Sequence, residues 1–127
     1  TKLIDLNLYL MFKILGWLKV EKKIVRASDY HLKKSKSELI IEMCKKLKFE
    51  NYLFGELGKN YCDFKSFKES KIKPYFQKYN HPRYKVLKNK TFYKNLCILD
   101  LLFFYGERSV DIILKDNYTK EEILNNK

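Results

Sequence analysis

Glycine, proline, arginine and cysteine are all scarce in this chain, and each shortage closes off a class of protein. With 4 glycines and 2 prolines in 127 residues, long flexible linkers are not expected, and no repeat or low-complexity tract interrupts the chain. The 3 cysteines (Cys44, Cys62 and Cys97) are odd in number, far apart, and form no C-x-x-C pair, so neither a disulfide framework nor a zinc knuckle is expected. Cys44 and Cys97 sit in apolar helical contexts and read as core thiols of a reducing compartment. No cluster of Cys, His and carboxylates has metal-ligand spacing, and no glycine pattern is a P-loop or a dinucleotide fingerprint. The cofactor, if any, is therefore left open. A long apolar run is missing too. Residues 3–18 come nearest, but Asp5, Asn7 and Lys13 interrupt a stretch already too short to span a bilayer, and there is no signal-peptide pattern. A cytoplasmic protein is expected.

The formal charge of +12 invites a nucleic-acid reading. Yet only Arg26, Arg83 and Arg108 are arginine, whereas phosphate recognition favours arginine forks. The lysines are scattered among many Ile, Asn, Tyr and Phe, the pattern of AT-rich coding drift filling solvated faces. A basic nucleic-acid-binding module is the alternative, and it requires lysines segregated on one face.

An apolar fraction of 46% with 16% aromatics in a chain of this length predicts one packed domain, or one portion of a larger domain. Residues 3–18 read as a helix. Lys22–Ala27 read as a strand around Ile24 and Val25, ending in Ser28 and Asp29. Ser35 and Glu38 have capping-box spacing and open a helix to about Lys48, with Leu39, Ile40, Met43, Cys44 and Leu47 inward. Asn51–Phe54 is a second strand, Gly55–Asp63 a loop into a short helix, and Ile72–Tyr79 a third strand, with Pro74 favouring an edge or a late start. Then come the turn Tyr79-Asn-His81-Pro82-Arg-Tyr84, a basic loop, and an apolar helix from Lys94 to Gly106. That helix is expected to be buried on most sides. A helix over 108–114 and a last one opened by the capping-box spacing of Thr119 and Glu122 complete the chain. The alternation predicts an α/β fold, a small partly parallel sheet flanked by helices, with the strands Lys22–Ala27 and Asn51–Phe54 as a parallel pair.

In such sheets ligands gather at the C-terminal strand ends. That edge would carry Ser28 and Asp29 after one strand, and Gly55, Gly58, Lys59, Tyr61 and Asp63 after the next. Two glycines permit backbone approach to an anion and Lys59 can meet a phosphate, while the plainer reading makes the loop a simple connection with Asp63 as helix N-cap. Ser28 and Asp29 can hold a ribose hydroxyl or act on an amine, or simply form a local turn. His81 is the better of the two histidines as a general acid/base, or else orients its turn through a ring N–H. Tyr84 and Tyr61 can stack on a sugar or serve the core. Asp100, an acid in an apolar helix, can pair with His81, Arg83 or Lys94 or cap an adjacent element, as a structural buried pair or as a catalytic carboxylate that handles protons with His81.

The ordered set Ser28-Asp29, Lys36–Leu47, Tyr52-Leu-Phe-Gly55, Gly58-Lys-x-Tyr61-x-Asp63, Tyr79-x-His81-Pro82-x-Tyr84 and Leu96-Cys-Ile-Leu-Asp100-Leu-Leu-Phe103-x-x-Gly106 resembles the WbqC-like protein family of bacteria. The resemblance runs over about residues 3–114, with 115–127 as a tail helix. It implies that the chain is the C-terminal part of the family's usual length, within a larger Rossmann-like domain. It further implies a place in surface-polysaccharide (O-antigen) biosynthesis, with a possible transferase step on a nucleotide-linked or amino sugar. Three departures stand out: Phe54 where the family more often has Ser, Lys85-Val86 for a Pro-Gln pair, and Phe104-Tyr105 for a polar residue. These departures and the missing half also admit an inactive remnant, which would expose apolar surface on its first helix.

Overall fold

The computed structural model describes residues 2–87 and 91–125; part of the basic loop, residues 88–90, lies outside this span, as do the chain ends. Helices and a small parallel sheet make up an α/β fold in two compact units, residues 24–79 with 118–127 and residues 1–23 with 80–117.

The first unit is built on a βαβ element. Strand β1 (Asn51–Phe54) pairs in parallel with β2 (Lys73–Phe76), in a register that sets Phe54 opposite Phe76, and α3 (Phe64–Glu69) lies between them in sequence. Parallel strands need a crossover, and residues 55–72 supply it. The strand expected at 22–27 is absent. Residues 20–26 are irregular and a 3-10 turn follows at Ala27–Tyr30, so the parallel partner of β1 is β2 instead. Pro74 lies inside β2, in agreement with its late start and edge position.

Helix α2 (Lys36–Leu47) packs Ile41 and Cys44 against Phe54, Phe67 and Ile72. The inward set is thus centred on Ile41, while Leu39, Ile40, Met43 and Leu47 are half-buried. The expected capping box at Ser35 does not form, because Lys36 turns into the left-handed region (φ 51°). Glu42 holds the helix entrance instead, accepting from the amides of Lys33 (2.9 Å) and Lys34 (3.0 Å). Glu38 faces Lys34, one turn before it.

Phe54 is the hub of this core. Its ring meets those of Tyr52 at 4.7 Å, Phe76 at 5.3 Å, Phe67 at 5.5 Å and Tyr61 at 5.8 Å. Gly58 is buried over it, and a Cβ there would stand 2.7 Å from Phe54 Cγ and Cδ1. Helix α6 (Lys120–Asn125) lies against β2, and its capping box forms as expected: Thr119 N–H donates to Glu122 Oε2 (2.7 Å) and Glu122 N–H to Thr119 Oγ1 (3.2 Å).

The second unit holds α1 (Leu3–Trp17), α4 (Ile98–Tyr105) and α5 (Ser109–Leu114). Asp5 accepts from the Lys2 amide at the start of α1. Helix α4 is shorter and far more open than expected. Asn95 has φ 61° and Cys97 is extended, so the helix starts at Ile98. Only Leu101 in it is buried, whereas Leu96, Leu99 and Phe103 are exposed and Cys97 is an exposed thiol rather than a core one. Gly106 ends α4 at φ 52°, where a side chain would be strained. Lysine takes this left-handed role after α1, α2 and α3, at Lys19, Lys48 and Lys71.

Among the described residues no helix is long and apolar enough to cross a membrane. Two substitutions test the hub. Phe67→Ala empties a fully buried site and is expected to cost about 3–5 kcal/mol. Gly58→Ala overpacks Phe54 and is expected to cost about 1–3 kcal/mol, both read from urea midpoints, with Gly55→Ala, which meets open space, as the near-neutral control.

Candidate functional site

The candidate residues fall into two sets, one in each unit. In the unit with the sheet, Gly55 leaves β1 and a 3-10 turn (Glu56–Asn60) carries Gly58 and Lys59. Gly58 serves Phe54, and Lys59 Nζ lies 5.5 Å over the Phe76 ring. Tyr61 is exposed, with its ring edge toward Phe54. Asp63 caps α3, its Oδ1 accepting from Ser66 N–H (3.2 Å) and its Oδ2 from Ser66 Oγ–H (2.6 Å). Ser37, which the sequence reading passed over, ties this loop to α2. Its buried hydroxyl donates to Tyr61 O and accepts from Asp63 N–H, both at 3.1 Å. The only signal for it was its place two residues after Ser35, inside the false capping box. Ser28 and Asp29 lie on the 3-10 turn with Ser28 Oγ–H donating to Asp29 Oδ1 (3.3 Å), and no strand brings them to a sheet end.

In the unit with α4, the segment His81–Tyr84 meets the first turn of that helix. Tyr84 O–H donates to Asp100 Oδ2 at 2.6 Å, so the acid's partner is the tyrosine rather than His81, Arg83 or Lys94. Because α4 starts late, Asp100 stands in its first turn, where a carboxylate is favoured by the helix dipole. The cost of an acid in an apolar run is thereby met. His81 Nε2 accepts from Asn95 N–H (3.1 Å), which leaves the proton on Nδ1 to donate to Pro82 O (2.9 Å). The imidazole braces the two ends of the segment in one tautomer.

Phe92 lies edge-on to Tyr84 at 4.9 Å, near His81 (6.2 Å), and under the Arg83 guanidinium (5.8 Å). Tyr105 Oη donates to Lys85 O and accepts from Lys85 N–H, both at 3.0 Å. Asn80 and Asn117 exchange bonds in the same manner: Asn80 N–H donates to Asn117 Oδ1 (2.7 Å) and Asn117 Nδ2 to Asn80 O (3.0 Å). Neither clasp was legible in the sequence, since each joins groups far apart in the chain.

Chemically, the α4 set offers a carboxylate held by a phenol, an imidazole and three aromatic rings. The loop set offers backbone, Lys59 and an occupied Asp63.

Comparison with known proteins fits this assembly into a family. The profile of the WbqC-like protein family matches residues 1–112. The chain belongs to that family. It is also similar to the uncharacterized protein Rv1507c of Mycobacterium tuberculosis, at 30% identity over 114 residues, which are 89% of this chain and 49% of the relative. The chain thus spans about half the length of the curated relative it matches. No solved structure matches it. Of the positions singled out in the sequence, Phe54 is the core hub, and Lys85 and Tyr105 bond to one another.

Burial raises the Cys44 thiol, and burial followed by the Asp63 charge raises that of Cys62, so both favour the unreactive thiol. Three carboxylates are held below their ordinary range: Glu42 by the Lys33 and Lys34 amides, Asp63 by the Ser66 hydroxyl and amide, and Glu122 by the Thr119 amide and hydroxyl. Depressed values mean that their stabilisation is whole above the ordinary carboxylate value and is lost as the pH falls through the lowered ones. Urea midpoints are therefore expected to be flat near pH 6 and to drop below about pH 4, with a shallower drop in Asp63→Asn. Tyr84→Phe keeps the ring packing but strips Asp100 of its donor, and a loss of about 1 kcal/mol is expected in the same assay.

Proposed function

We propose that this WbqC-like chain acts in bacterial surface-polysaccharide (O-antigen) biosynthesis, as part of a larger Rossmann-like domain that transfers a group to or from a nucleotide-linked or amino sugar. The observation that carries this reading is the family match over residues 1–112. The braced constellation of Tyr84, Asp100 and His81 supports it, because phenol, carboxylate and imidazole are the groups that hold and move protons on sugar hydroxyls and amines. In this reading His81 exchanges its bond to Asn95 for one to the substrate, and Asp100 keeps Tyr84 oriented. Separately, within the sheet-bearing unit, Gly55, Lys59 and Tyr61 are proposed to receive an anionic group, with Ser28 and Asp29 as further contacts and Gly58 and Asp63 shaping the loop.

The distribution of lysines disfavours a nucleic-acid module. They occur on α1, α2, α3, β2, α6 and the loops, instead of gathering on one element as a groove-reading helix would require.

The test is turnover and binding of uridine- and thymidine-diphosphate sugars by the full-length WbqC-like protein that carries these residues. His81→Ala and Asp29→Ala are each expected to lower kcat/KM about a hundredfold. Neither turnover nor binding with any sugar nucleotide, or unchanged activity in both variants, would count against the proposal.

A further inference from the structure

None of the residues of α1 is buried, although most of them are apolar. One stripe of the helix, Leu8, Met11, Ile14 and Leu15, is half-buried. A second stripe is open. Leu3, Leu6, Leu10 and Trp17 recur at steps of three, four and seven residues, which places them along one face, and they are 72%, 49%, 48% and 54% exposed. This stripe runs into a groove of about 460 Å³ that Trp17 shares with Leu99, Leu102, Phe103 and Glu107. Phe103, 86% exposed, stands at its side. In the same unit the only buried apolar side chains, among the described residues, are Leu18, Pro82 and Leu101. A helix apolar on two faces is built to be covered on two faces, and an open patch of this size marks a contact surface.

The length of the matched relative says what covers it. With 49% of Rv1507c matched, a WbqC-like protein of that size has as many residues again outside the shared segment. A membrane surface fits less well. The polar side of α1 is narrow and mixed in sign, with Lys2, Asp5 and Lys13, unlike the cation-rich face of an interfacial helix. We propose that the α1–α4 face is the seat of an apolar element from the other half of the WbqC-like fold, laid along Leu3, Leu6, Leu10 and Trp17 with a side chain in the groove beside Phe103. This inference stands apart from the proposed sugar chemistry.

Trp17 is the single tryptophan of the chain, which makes it the probe. Incorporated as 5-fluorotryptophan, it gives one fluorine resonance. The 127-residue chain is mixed with the portion of Rv1507c outside the matched segment, expressed as a separate polypeptide. A one-to-one complex by light scattering is expected, together with a shift of the Trp17 resonance. Leu10→Asp and Phe103→Asp, both at exposed positions, should weaken the complex at least tenfold while circular dichroism stays unchanged, and Leu57→Asp in the other unit should not weaken it. Absence of a complex would overturn the proposal, as would a complex indifferent to both α1–α4 variants. A Trp17 shift that grows with the chain's own concentration would assign the face to a second copy. The same shift on phosphatidylglycerol vesicles alone would assign it to a lipid surface. Either result would overturn the proposal as well.

Discussion

The packing of Phe54 over Gly58 is the contact on which the sheet-bearing unit depends. Phe54 is the last residue of β1, and four aromatic rings and a backbone glycine close around it. Because Gly58 lacks a side chain, the 3-10 turn after β1 can fold back onto the strand it has just left. That return fixes where Lys59, Tyr61 and Asp63 stand, and the buried Ser37 hydroxyl locks the turn to α2. A glycine read from sequence as a place for an anion to approach is thus a place for an aromatic ring to approach. The chemistry of the loop is left to its outer atoms.

The unit that carries α4 is held in another way. Its buried apolar set is small, and side chains bonded to backbone do much of the joining: Tyr105 to Lys85, Asn117 to Asn80, His81 to Asn95 and Ser109 to Leu101. Each bond satisfies a main-chain group that would otherwise need water, and all but the Ser109–Leu101 bond join groups more than a dozen residues apart in sequence. Such a unit keeps a defined site segment without a deep core. It also leaves apolar faces uncommitted, which a second body of protein can take.

What could be read from the sequence follows from the range of the forces. The helix at the N-terminus, α2, β1, the α3 connection, the late strand at Pro74, the stop at Gly106 and the box at Thr119 all rest on periodicity or on groups within four residues of each other. The misreadings share a cause in the opposite direction. The run Lys22–Ala27 has strand composition but no partner, and Lys94–Gly106 has the composition of a buried helix but only one buried residue. Composition reports what a segment would bury if something met it. Asp100 shows the same gap at the level of one side chain: its need for a partner was legible, but the choice of Tyr84 depended on a helix start set by the torsions of Asn95 and Cys97.

The left-handed lysines carry a consequence of a different order. Glycine adopts φ > 0 freely, while a residue with a Cβ is held there at a cost of roughly 1 kcal/mol. Lys19, Lys48 and Lys71 each sit in that region at the end of a helix, in a chain with 4 glycines and many lysines. The shortage of one residue and the abundance of another have in this way reached the torsion angles: composition is stored as conformational strain at helix termini. Part of the margin between folded and unfolded chain can be recovered at those positions without any change to the residues proposed to meet a substrate.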